Sequence, residues 1–143
     1  MKKKLLIYGA GAIGRGYLPW IFLDKFYDFY FVDTNELLIK NIRKKKYYQT
    51  FKISKNKYIS KKVFPKKIYF LNEEISDLNS FDLIVTCVGT RQAKNILKNI
   101  SAFKKNIICL ENDPGVVDFY KKEMKSKNVY FGIPDVISSN SAS

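Results

Sequence analysis

A short apolar run, Leu5, Leu6, Ile7 and Tyr8, passes directly into Gly9, Ala10, Gly11, Ala12, Ile13, Gly14, Arg15 and Gly16. The run reads as a buried strand, and the glycines as a tight turn that opens a helix. A connection this cramped ties the strand and the helix into a β-α-β unit, which limits the chain to sheets built from such units. Within the turn, Gly9 permits the sharp bend, Gly11 allows close approach of the backbone to a ligand, and Gly14 lets the helix lie against the strand.

A second apolar run, Phe29, Tyr30, Phe31 and Val32, ends at Asp33, nineteen residues after Gly14. In a nucleotide-binding turn the phosphates lie against the glycine backbone and the helix start, and a carboxylate at this distance meets the adenosine ribose. It accepts hydrogen bonds from a free 2'-hydroxyl and repels a 2'-phosphate. The expected cofactor is therefore NAD rather than NADP. The alternative is a purely structural connection, with Asp33 capping the following helix.

Apolar runs and helical patterns alternate along the rest of the chain, as in a parallel sheet covered by helices. Ile13 to Leu23 should be helical, with a kink or distortion at Pro19. Thr34 or Asn35 can cap the next helix, whose buried stripe is Leu38, Ile39 and Ile42. Short β-like runs then place a hairpin insertion around residues 47–64, with its turn at Ser54, Lys55, Asn56 and Lys57. Core strands follow at Ile68–Leu71, Leu83–Val88, Ile107–Leu110 and Val129–Phe131. The helix between the fourth and fifth strands presents Ala93, Ile96, Leu97 and Ile100. The last is capped by Asp113, starts at Pro114 and presents Val116, Val117, Tyr120 and Met124. The expected fold is α/β: a Rossmann-type doubly wound, mainly parallel six-stranded sheet with a β-hairpin insertion, in one domain spanning residues 1–143. Ligands of such sheets sit beyond the carboxyl ends of the strands, which directs attention to Gly9 to Arg15, Asp33, Gly89, Thr90, Glu111, Asn112 and Asp135.

Composition narrows the function. The chain has no histidine, so a histidine ligand set or general base is excluded, and no metal site is expected. Cys87 and Cys109 lie inside apolar runs and read as small buried hydrophobes, in keeping with a cytoplasmic protein. No apolar run is long enough to span a membrane, and the lysine-rich start is broken by the glycine turn, so no targeting segment is read. The net charge of +13 raises the question of nucleic acid. Only Arg15, Arg43 and Arg91 among 26 basic residues are arginine, and the surplus reads as spread along the chain. Clusters at Lys44 to Lys46, Lys61 and Lys62, and Lys66 and Lys67 can form a basic patch around the middle segment. A solvated lysine face is the favoured reading, and nucleic acid is not an expected partner.

Four segments carry a resemblance: Tyr8 to Tyr17, Phe31 to Asn35, Asp82 to Gly89 and Asn106 to Asn112. Together they resemble the N-terminal NAD-binding domain of the mannitol-1-phosphate 5-dehydrogenase and polyol dehydrogenase family. Asp135, Val136 and Ile137, followed by Ser141, Ala142 and Ser143, are similar to the end of that domain, although Val136 stands where the family pattern has arginine. The resemblance implies an oxidoreductase that uses NAD. The family's catalytic lysine and its lysine, asparagine and histidine motif belong to a following domain that is absent from these 143 residues, so no catalytic residue is carried over. The candidate cofactor-binding set is Gly9, Ala10, Gly11, Ala12, Ile13, Gly14 and Arg15 in the turn; Asp33 and Thr34 after the second strand; Val88, Gly89 and Thr90 after the fourth; and Glu111 and Asn112 after the fifth. Arg15 either lies against the pyrophosphate or faces solvent. Gly89 and Thr90 either pass close to a ribose or make a simple strand-to-helix turn, Asn112 reaches toward the nicotinamide ribose or substrate, and Glu111 can be only a charge beside a helix. Asp135 is read as a loop carboxylate.

Three function classes follow, the least favoured being a lysine-rich nucleic-acid-binding protein that uses this fold, which steeply salt-dependent binding to DNA or RNA would mark. The first is the cofactor domain of a dehydrogenase acting on a sugar alcohol or its phosphate, with that substrate a partner only if a catalytic domain is supplied. The second is a non-catalytic module that senses NAD or a related nucleotide through a partner.

Overall fold

The computed structural model describes residues 1–111, 113–124 and 128–132, and the backbone alone of Thr90. Eight strands occur among them: β1 (Lys3–Tyr8), β2 (Tyr27–Asp33), β3 (Tyr48–Ser54), β4 (Lys57–Val63), β5 (Lys67–Phe70), β6 (Leu83–Thr86), β7 (Asn106–Cys109) and β8 (Val129–Phe131). Interspersed with them are the helices α1 (Leu18–Ile21), α2 (Glu36–Lys45), α3 (Thr90–Ile100) and α4 (Pro114–Met124). Six strands form one sheet in the order β5-β2-β1-β6-β7-β8, and every neighbouring pair is parallel. Counting only the core strands, this is the 3-2-1-4-5-6 order of a doubly wound sheet. Strand order reverses between β1 and β6, which opens a crevice beyond their carboxyl ends.

β1 sits at the centre and shows why both sheet faces are covered. Leu5 and Ile7 point to one side, where they pack with Phe29, Phe31, Leu18, Ile39 and Ile42. Leu6 and Tyr8 point to the other, against Ile84, Ile96, Ile100 and Tyr120. The alternation is the period-two geometry of a strand, and an apolar residue at every position is what burial on both faces demands. Each such side chain contributes on the order of 2 kcal/mol relative to exposure. As expected, the second helix is capped by Asn35, whose side chain accepts from Leu38 N–H at 3.1 Å. The fourth begins at Pro114 behind Asp113.

The first helix departs from expectation. Residues Ala12–Tyr17 form a π-helical turn, only α1 follows as α-helix, and the helix ends at Ile21 rather than Leu23. Gly14 and Gly16 weaken helical preference, and Pro19 has no N–H with which to bond the turn before it. The hairpin forms where the sequence places it, with β3 and β4 as a separate two-stranded antiparallel sheet. Its turn residues Lys55 and Asn56 both have positive φ, at 48° and 63°, as a two-residue type I' loop requires.

Candidate functional site

Gly9 has φ +102°, and a Cβ there would stand 2.6 Å from the Cys87 carbonyl oxygen. No side chain fits at this bend. A Cβ on Gly14 would lie 1.9 Å from the Gly9 carbonyl oxygen and 3.1 Å from Cys87 Sγ, so the helical turn rests directly on the bend. Cys87 Sγ lies 3.3 Å from the Gly9 carbonyl and 3.4 Å from that of Tyr8. Both cysteines are free thiols. Burial pushes the Cys87 thiol well above its usual range and that of Cys109 up to about 12.

Asp33, at the carboxyl end of β2, faces this bend. Its Oδ2 accepts from Ala10 N–H at 2.6 Å, while Oδ1 accepts from Thr34 N–H at 2.6 Å and Asn35 N–H at 2.9 Å. One carboxylate thus joins the glycine turn to the start of α2. An ionised carboxylate offers about four acceptor positions, so acceptor capacity is left for a hydroxyl on a ligand.

A cleft of about 230 Å³ opens at the strand reversal. It gathers Gly9, Gly11, Asp33, Thr34, Val88 and Gly89 from the sequence-derived candidates. A Cβ on Gly89 would meet nothing within 4 Å, so this rim is open. The cleft wall also includes Tyr8, Val32, Leu71, Cys87, Gln92 and Ile96, which sequence reasoning did not select. Leu71 directly follows β5, a strand that the sequence reading carried through Leu71 itself, and Gln92 lies in the first turn of α3. Ligand pockets usually measure about 300–1,000 Å³, so a ligand larger than this cleft would extend beyond it.

The other candidates lie elsewhere. Ala10 is buried behind the bend, and Ala12, Ile13 and Gly14 belong to the π-helical turn outside the cleft wall. Arg15 folds back: its Nε donates to the Ala10 carbonyl at 2.6 Å, and its guanidinium stands 5.8 Å from the Tyr48 ring centre. Glu111 is only 8% exposed. It accepts from Thr86 Oγ1 at 3.0 Å and from the Tyr120 hydroxyl at 3.4 Å, and burial raises its carboxyl pKa despite those bonds. The backbone of Thr90 opens α3 at the cleft edge. Asn112 and Asp135 lie outside the described residues.

The hairpin braces the turn from behind. Tyr48 donates its hydroxyl to the Arg15 carbonyl at 2.9 Å, Thr50 Oγ1 donates to the Gly16 carbonyl at 2.8 Å, and Lys61 Nζ donates to the Pro19 carbonyl. Trp20 Nε1 donates to Thr50 Oγ1 at 3.2 Å. Among the described residues no group of three or more Cys, Asp or Glu side chains could hold a metal ion, and no helix is long and apolar enough to cross a membrane.

Six parallel strands in this order, helices on both faces and a glycine bend at the strand reversal define a Rossmann domain. Residues 3–129 match the family model described as the mannitol dehydrogenase Rossmann domain, and the chain belongs to that family. It is 30% identical over 137 residues to the mannitol-1-phosphate 5-dehydrogenase of Mycoplasmopsis pulmonis, covering 92% of this chain and 38% of that protein. The mannitol-1-phosphate 5-dehydrogenase of Bacillus subtilis is 32% identical over 133 residues, covering 85% of this chain and 35% of that protein. The chain thus spans well under half the length of these curated relatives. A lactate dehydrogenase of Cryptosporidium parvum, solved with lactic acid and nicotinamide adenine dinucleotide, aligns at TM-score 0.49 and 16% identity over 88% of this chain and 43% of that one. That likeness is too distant to bear on ligand or reaction.

Proposed function

We propose that residues 1–143 are the cofactor-binding domain of a cytoplasmic NAD-dependent dehydrogenase acting on a sugar alcohol or its phosphate, and that this chain binds cofactor without turnover by itself. Family membership and the similarity to two mannitol-1-phosphate 5-dehydrogenases support the substrate class. The observation that carries the cofactor reading is the Asp33 carboxylate, held on the cleft rim by the N–H groups of Ala10, Thr34 and Asn35. A carboxylate so anchored suits a ribose diol and opposes a 2'-phosphate. Bound NAD would supply the hydride acceptor. In this reading the chain's own residues bind and orient: Gly9 and Gly11 admit the pyrophosphate, Asp33 takes the ribose, and Val32, Leu71, Val88 and Ile96 form an apolar wall for the base.

Calorimetric titration of the whole chain with NAD and with NADP tests this reading. Asp33→Asn is the informative variant, since it keeps an acceptor toward the turn while removing the charge. Saturable NAD binding, at least tenfold weaker NADP binding and a narrowed gap in Asp33→Asn are expected. Binding of neither nucleotide, or NADP as tight as NAD, would sink the proposal. Steady NAD reduction by this chain alone with mannitol 1-phosphate would overturn the claim that it does not turn over.

A further inference from the structure

The positive charge is not evenly spread. Between Glu36 and Glu73 the sequence has eleven lysines and one arginine and no carboxylate, so this stretch carries nearly all of the net +13. It folds into most of α2, the β3–β4 hairpin and all of β5. Its single arginine, Arg43, is engaged by Glu73 at 2.6 Å and by the Ile68 carbonyl.

The hairpin has two unlike faces. Cross-strand partners share a face in an antiparallel pair, so Tyr48 with Val63 and Thr50 with Lys61 make the inner face that braces the glycine turn. Gln49 with Lys62, Phe51 with Ser60 and Ile53 with Tyr58 make the outer one. There Phe51 is 56% exposed, Ile53 67% and Tyr58 78%. At the base of the hairpin the rings of Tyr47 and Phe64 lie 5.6 Å apart, with Lys62 Nζ standing 4.8 Å from the Tyr47 ring centre. Successive outer-face positions along a strand are about 7 Å apart.

We propose that this outer face binds single-stranded nucleic acid without sequence preference. Exposed rings on one face, with Lys62 among them and a carboxylate-free lysine-rich segment around them, combine base-stacking surface with attraction for a phosphate backbone. Lysine serves a phosphate track as a point charge. A protein partner fits less well, because protein interfaces favour arginine and deplete lysine, whereas the segment that carries this face has eleven lysines and one arginine. The face lies behind the glycine turn, so occupation by an oligonucleotide is independent of the dinucleotide cleft.

Fluorescence anisotropy of the whole chain with a labelled 20-nucleotide oligothymidylate provides the test. Saturable binding is expected at 50 mM salt, weakening at least tenfold by 200 mM. The Phe51→Ala/Tyr58→Ala double variant changes only exposed side chains and should bind at least tenfold more weakly, with an unchanged circular dichroism spectrum. Four outcomes would overturn the proposal. One is no saturable binding at 50 mM salt, and another is binding indifferent to loss of the two rings. The third is equal or tighter ring-dependent binding of polyglutamate or of phosphatidylserine vesicles, which would assign the face to an acidic protein or a membrane. The last is displacement of the oligonucleotide by NAD, which would put it in the cleft.

Discussion

The Tyr48 hydroxyl donates to the backbone carbonyl of Arg15 at 2.9 Å, the carbonyl that a residue at position 19 would bond in a regular α-helix. Pro19 has no N–H to offer it. The hairpin therefore supplies from outside a bond that the sequence of the first helix rules out, and it does so behind the glycine bend.

Tyr48→Phe keeps the ring against Phe31 and Arg15 and removes only that donor. Because Tyr48 is buried, loss of the bond should cost about 1–2 kcal/mol, read as a lowered urea midpoint with an unchanged m-value. A shift below about 0.3 kcal/mol would mean that the hairpin does not support the turn.

Gly14→Ala pushes a methyl group to 1.9 Å from the Gly9 carbonyl oxygen. Relief requires the helical turn to move off the bend, and overpacking of this kind costs roughly 1–3 kcal/mol or more. Gly89→Ala is the matched comparison, since its Cβ meets open space. Thermal unfolding should separate the two, with Gly14→Ala strongly destabilised and Gly89→Ala close to the parent.

Glu111 makes stability depend on pH. Burial raises its carboxyl pKa in the fold, so the folded state holds this proton more tightly than the unfolded chain. Its contribution is fully present below the ordinary glutamate pKa of about 4.3 and is lost as pH rises through the raised folded value. Glu111→Gln removes that loss. Urea unfolding from pH 4 to pH 8 should show the variant gaining on the parent as pH rises, and a constant difference across that range would refute the assignment.

Both thiols should resist alkylation. Burial holds Cys87 and Cys109 far above the usual thiol range, and the thiolate is the reactive form. Iodoacetamide at pH 8 should leave both unmodified in the native chain and modify both in urea, read by intact mass. Rapid native labelling of Cys87 would show that the floor of the cleft opens.

What depends on near neighbours was legible in the sequence: the β1 run and its glycine bend, the Asn35 cap, the Lys55 and Asn56 turn, and the apolar stripes of α2 and α3. Each follows from side-chain periodicity or from φ preferences, which act over a few residues. Gly9, Gly11, Asp33, Thr34, Val88 and Gly89 meet in one cleft because doubly wound sheets place their strand ends together; glycine spacing and position at a strand end pointed to them, and the same rule also chose Glu111, which is buried away from the cleft wall. The tertiary structure decided the rest through contacts between residues distant in sequence. It joined Tyr48 to Arg15 across 33 residues. It buried Glu111 against Thr86, 25 residues away, and beside Tyr120. Gln92 and Ile96 came into the cleft wall because α3 packs beside the strand reversal, and one face of the hairpin was left exposed because the other is occupied by the turn it braces. Hydrogen-bond partners and solvent exposure of this kind depend on which surfaces meet once the sheet has assembled, and no local pattern encodes that.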